Sequence, residues 1–78
     1  KQPARQEVVW QSVIEQRVSG TRSLIGLMLE SNLREGNQPF PQPLDKIAPD
    51  ISITDACISW ETTERLLRQG YELLGGAA

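Results

Sequence analysis

Two carboxylates stand apart from the other acidic residues of this chain. Glu30 ends the apolar run Leu24-Ile25-Gly26-Leu27-Met28-Leu29, and Asp55 lies in Ile53-Thr54-Asp55-Ala56-Cys57, flanked by apolar residues. The segment between them can leave the first and return near it, which would bring the two acids into one site. Two ionised carboxylates ~5 Å apart repel by ~3 kcal/mol at an effective dielectric of ~20, so a shared site requires a proton or a cation. A divalent metal ion is the natural solution. A tetrahedral or octahedral ion needs more ligands than this pair, so others must come from elsewhere. Histidine is absent, and Cys57 is the single cysteine. In extended chain Cys57 points to the same side as Asp55 and is a candidate third ligand, against the plainer role of a buried reduced thiol. Plain roles exist for the acids too: a strand-end charge in water for Glu30, a helix cap or Asx-turn for Asp55. Only carboxylates are candidates for chemistry, and no residue is assigned as catalytic or as binding an organic cofactor.

The elements that would position these acids can be read from periodicity. Residues 3–19 predict a helix: Pro3 suits the first turn, Ala4, Val8, Val9, Val13, Ile14 and Val18 recur near 3.6-residue spacing, and Gly20 supplies a stop. Gln6, Glu7, Gln11, Glu15 and Arg17 fill the polar face. Residues 23–30 predict a strand with two apolar faces, the pattern of a parallel sheet covered on both sides, as in open α/β folds and (β/α) barrels. A buried helix is the competing reading of so short a run. Residues 31–54, with Gly36, Pro39, Pro41, Pro43 and Pro49, predict a long loop in which Phe40 is the expected anchor. Residues 59–74 predict a second helix, capped by Ser59, with Trp60, Leu67, Tyr71 and Leu74 as its apolar stripe and Leu66 and Leu73 widening it. Gly70 inside it costs about 1 kcal/mol relative to alanine. Both tryptophans are expected to pack.

This inventory does not close on itself. A lone strand has no partner for its ladder groups, and each one buried unpaired costs about 1–3 kcal/mol, against a whole-domain stability of about 5–15 kcal/mol. The neighbouring strands must come from other copies, another chain or further polypeptide. Composition agrees. The chain has 78 residues, and its 38% hydrophobic content lies below the roughly 45–50% of ordinary domains. A single cysteine excludes an internal disulfide, and the lack of histidine excludes the common Cys/His zinc modules. A net charge of −2 gives no basic field for nucleic acid. No apolar run approaches the ~20 residues of a membrane span, and no signal peptide is apparent. A start at Lys1 rather than methionine is expected to be a boundary other than the start of a gene.

The two acids also sit in motifs. Gly26-Leu27-Met28-Leu29-Glu30-Ser31-Asn32-Leu33-Arg34-Glu35-Gly36-Asn37-Gln38, followed by Ser52-Ile53-Thr54-Asp55-Ala56-Cys57-Ile58-Ser59-Trp60-Glu61-Thr62-Thr63-Glu64, closely resembles the C-terminal end of the type I 3-deoxy-D-arabino-heptulosonate-7-phosphate synthases, also called phospho-2-dehydro-3-deoxyheptonate aldolases. The resemblance continues through Leu66-Leu67-Arg68-Gln69. It implies an α/β fold: the C-terminal quarter of a (β/α)8 TIM barrel, comprising a helix, strand 8, its active-site loop and helix 8. It also implies that Glu30 and Asp55 are metal ligands, with a cysteine and a histidine supplied earlier in the polypeptide, and that the cofactor is a divalent ion such as Mn, Fe, Zn or Co. Pro49-Asp50-Ile51 departs from the Tyr-Gly usual at that point, and Asn32 often corresponds to histidine, which affects the loop more than the chemistry.

The implied reaction is the transferase-type condensation of phosphoenolpyruvate with erythrose 4-phosphate, the first step of the shikimate pathway to aromatic amino acids. The phosphate-holding Arg and Lys residues belong to earlier strands. The expected partners are therefore the remainder of the synthase barrel and those two substrates, in a cytoplasmic parent that is a homo-oligomer, without nucleic acid or membrane. The 78 residues alone are expected to be inactive. The alternative is a small non-catalytic binding or oligomerisation module derived from a barrel fragment.

Overall fold

The computed structural model describes residues 2–75. Helix α1 spans Arg5–Val18 and helix α2 spans Trp60–Leu73, with a single 3-10 turn at Leu44–Lys46 between them. At the start of α1 no side chain caps, and the first amides bond back to the Gln2 and Pro3 carbonyls at 3.0 Å. Its end is a Schellman motif: Thr21 N–H donates to the Gln16 carbonyl at 3.0 Å and Gly20 N–H to the Arg17 carbonyl at 3.1 Å. In α2 the Ser59 cap forms as expected, its hydroxyl accepting from Thr62 N–H at 3.2 Å.

The core is small. Trp10 and Ile14 from α1 meet Ile58 and Leu66, with Leu29 packed against the cluster. The helix faces therefore differ from those read off periodicity. Trp10, not the valine series, is the centre of the α1 face, while Val8, Val9 and Val18 stay exposed. On α2 the buried line is Thr63, Leu66 and Gly70, and Trp60, Leu67, Tyr71 and Leu74 are about half exposed. The apolar stripe of α2 is wider than the one helix that meets it, so only its α1-facing edge is covered.

Gly70 has a steric reason. A Cβ built there would lie 2.8 Å from Trp10 Cζ2, a rigid ring edge rather than a mobile chain end. Helix propensity alone favours Gly70→Ala by about 1 kcal/mol, but overpacking of this kind costs about 1–3 kcal/mol. Gly70→Ala is thus expected to lower the urea midpoint of unfolding; a higher midpoint would show that the two helices do not approach this closely. At the rim of the same helix pair, Arg65 makes a two-pronged ion pair with Glu7 at 2.8 and 2.9 Å. The Arg65 hydrogen bonds hold the Glu7 carboxyl below its ordinary range.

The strand expected over residues 23–30 is absent. Leu24 to Glu30 carry no regular structure, and the described residues contain isolated bridges but no strand. A strand exists only by pairing, and here the neighbour is missing along most of the segment. Pairing begins at its end: Ser31 forms a parallel bridge with Ile58, in which Ile58 N–H donates to the Glu30 carbonyl and Asn32 N–H to the Ile58 carbonyl, both at 3.0 Å. Ile25 is 92% and Met28 80% exposed, although neither is suited to water.

The stretch from 31 to 54 is ordered by polar side chains instead of by Phe40, which is exposed. Gln38 is its hub. Its Nε2 donates to the Ala48 and Ile51 carbonyls at 2.6 and 2.7 Å, and its Oε1 accepts from Ala48 N–H at 2.9 Å. Arg34 grips Asp50 through two side-chain bonds, at 2.6 and 2.9 Å, and its backbone N–H donates to the Asp50 carbonyl.

The chain is open for its size. Its radius of gyration is 15.4 Å, against about 11.5 Å expected of a compact domain of this length. Its accessible surface is 5958 Å², about 1,200 Å² more than a folded monomer of this mass exposes. No helix among the described residues is long and apolar enough to cross a membrane.

Candidate metal-ligand segments

Glu30 and Asp55 come from two segments that the Ser31–Ile58 bridge sets side by side. Glu30 is half-buried at the end of the apolar run, held by its backbone: Gln6, from the first turn of α1, donates its Nε2–H to the Glu30 carbonyl at 2.9 Å and accepts from Glu30 N–H at 2.7 Å. These bonds leave the carboxylate out of the clamp. Glu30 lines an open cavity of about 650 Å³ together with Gln6, Trp10, Met28, Leu29 and Ala56. Ala56 is the immediate neighbour of Asp55, so the second candidate segment borders the same space.

Asp55 itself is exposed, in a turn that its neighbours fix. Asn37 donates its Nδ2–H to the Thr54 carbonyl at 3.0 Å, and the Ser52 hydroxyl accepts from Thr54 N–H at 3.1 Å. Two residues beyond Asp55, Cys57 and Gly36 exchange both backbone bonds, at 2.8 and 3.1 Å, in an antiparallel bridge. Gly36 does this at φ +97°, a conformation that side chains with a Cβ rarely adopt. The pair is what turns the loop back toward Glu30.

Cys57 does not complete a three-ligand cluster. Its Sγ–H donates to the Asp55 carbonyl at 3.4 Å, and among the described residues no group of three or more His, Cys, Asp or Glu side chains could hold a metal ion. The candidate donor set on neighbouring segments is thus two carboxylates, hard oxygen donors too few to complete the coordination of a divalent cation. The sequence singles out both acids as candidates but not Gln6 or Gln38, which look like ordinary polar-face and loop residues. The available signal was chemical: a primary amide carries the same donor and acceptor as a peptide group and can stand in for one.

A second open groove, of about 480 Å³, lies against Trp10, Ile14, Leu24, Ile25, Leu27 and Leu67. Together the two cavities border residues 24–30 with largely apolar lining.

Comparison with known proteins extends the pattern beyond the local geometry. The model of the DAHP synthetase I family matches residues 1–68. The Tyr-sensitive phospho-2-dehydro-3-deoxyheptonate aldolase of Escherichia coli (strain K12) is 51% identical over 72 residues, covering 92% of this chain and 20% of that protein. The Tyr-sensitive enzyme of Enterobacter agglomerans is 50% identical over 76 residues, 97% of this chain and 36% of the relative. The Phe-sensitive enzyme of Escherichia coli (strain K12) is 46% identical over 69 residues, 88% of this chain and 19% of the relative. The chain therefore spans between about a fifth and a third of the length of these relatives.

Proposed function

Because the chain belongs to the DAHP synthetase I family, we propose that it is the C-terminal quarter of the (β/α)8 barrel of a metal-dependent synthase. That enzyme, a cytoplasmic transferase in this reading, condenses phosphoenolpyruvate with erythrose 4-phosphate at the entry to aromatic amino acid biosynthesis. The observation that carries this reading is the family match over residues 1–68, which contains both carboxylates in their motifs. Two physical features support it. The surplus accessible surface, about 1,200 Å², exceeds the ~800 Å² that one partner contributes to a stable interface. The apolar residues Ile25 and Met28 are largely exposed, as expected of a run that further strands cover.

Within that enzyme, Glu30 and Asp55 would hold a divalent ion, with the other ligands contributed by the rest of the barrel. When bound, the ion would supply Lewis-acid polarisation of the aldehyde oxygen. The chain's own contribution is to hold the backbone that carries the two acids, at Glu30 through the Gln6 clamp and beside Asp55 through the Asn37 and Ser52 bonds to Thr54. The Arg and Lys residues that grip the substrate phosphates are assigned to the other strands.

The test is an assay of phosphate release from phosphoenolpyruvate with erythrose 4-phosphate and manganese(II). The complete polypeptide carrying this segment is expected to be active and the 78 residues alone inactive. Turnover by the 78 residues, or none by the complete polypeptide, would refute the reading. The exposed Ile25 and Met28 also suit a module that assembles with a second copy. A stable, cooperatively unfolding oligomer of the 78 residues in sedimentation and thermal melts would favour that alternative.

A further inference from the structure

The contact between Gln6 and Glu30 joins residues 24 apart in sequence and is made wholly by one side-chain amide and one residue's backbone. Exchange of both N–H···O bonds is what an antiparallel strand neighbour provides at a hydrogen-bonded pair. Gln6 therefore supplies, from a helix, hydrogen bonds to both the N–H and the C=O of residue 30. The Glu30 carbonyl also accepts from Ile58 N–H at 3.0 Å. Its backbone is thus held from two directions, by α1 and by the segment that carries Asp55. Only glutamine fits the clamp as built: asparagine is a methylene short, glutamate lacks the donor and lysine lacks the acceptor.

We propose that Gln6 is a positioning residue for Glu30, fixing the backbone that carries its carboxylate beside the cavity that Glu30 lines with Ala56. This rests on the reading of Glu30 as a metal ligand. A ligand whose main chain is free to rotate must be ordered when the ion binds, and that ordering is subtracted from affinity. Groups that orient metal ligands typically contribute roughly 10–100-fold to affinity, and the clamp is expected to act in that range.

The experiment titrates manganese(II) alone into the metal-free complete polypeptide and follows binding calorimetrically, with thermal unfolding of the metal-free forms alongside. Gln6→Met, which keeps length and removes both bonds, is expected to weaken manganese binding roughly 10–100-fold while the protein remains folded. Gln6→Glu, which keeps only the acceptor, is expected to weaken it as well. Glu30→Gln is the control for the underlying reading. Affinity within about twofold of the unaltered protein in both Gln6 variants, with Glu30→Gln impaired, would overturn the positioning role and leave the ligand assignment standing. Unchanged affinity in Glu30→Gln would overturn the ligand assignment and the proposal with it. If the Gln6 variants do not fold, amide hydrogen exchange of the unaltered metal-free protein decides: protection of Glu30 N–H is expected, and exchange at the rate of an open loop would overturn the clamp.

Discussion

Glu30→Gln and Asp55→Asn, introduced one at a time into the complete polypeptide, are each expected to lower manganese affinity by at least about 100-fold and to remove most metal-dependent condensation. The reasoning starts from the donor set. Each substitution keeps the volume of the side chain and removes one anionic oxygen donor. Residues that merely orient a ligand contribute roughly 10–100-fold, so loss of the ligand itself belongs at or beyond the upper end. The Glu30 backbone bonds to Gln6 and Ile58 do not involve the carboxylate, so the substitution leaves the local fold in place. Near-normal metal content in both variants, measured on dialysed protein, would sink the assignment.

Ile25→Ser is expected to destabilise the complete polypeptide as much as Leu66→Ala does, by about 2–5 kcal/mol. The two positions look opposite in this structure: Leu66 is 0% exposed and Ile25 is 92% exposed. Leu66 anchors the contact between α1 and α2, so its truncation leaves a cavity wherever it is measured. Ile25 touches little within this chain and would tolerate serine if its surroundings were water. Burying an isoleucine against further strands is worth about 1.5–3 kcal/mol, and a serine hydroxyl left there without a partner adds to the loss. Chemical unfolding of the two variants compares them directly. A neutral Ile25→Ser in the complete polypeptide would mean that nothing covers residues 24–30, and would remove the main physical support for the barrel reading.

The helices were legible because their signals are local. Ser59 and Gly20 stand where a cap and a stop are needed, and the structure uses both. The buried faces were less legible. Periodicity puts Leu67 and Tyr71 on the same stripe as Leu66, yet only contact with Trp10 decides which edge of that stripe is covered. Gly70 reads as a propensity defect in the sequence and proves to be the point of closest helix approach. The two-faced apolar run stays largely exposed, and the strand expected there is absent among the described residues. The backbone of residues 24–29 has no ladder to join, and hydrophobicity alone cannot supply one.

The sequence by itself determined the family and singled out the two carboxylates as candidates, because both rest on residue identity and spacing. Only the tertiary structure decided how the backbone that carries them is held. The Ser31–Ile58 bridge and the positive φ of Gly36 bring distant segments together, while the Gln6 amide ties α1 to the Glu30 backbone. These are long-range hydrogen bonds between groups that every peptide or glutamine carries, so no local pattern announces which of them will meet.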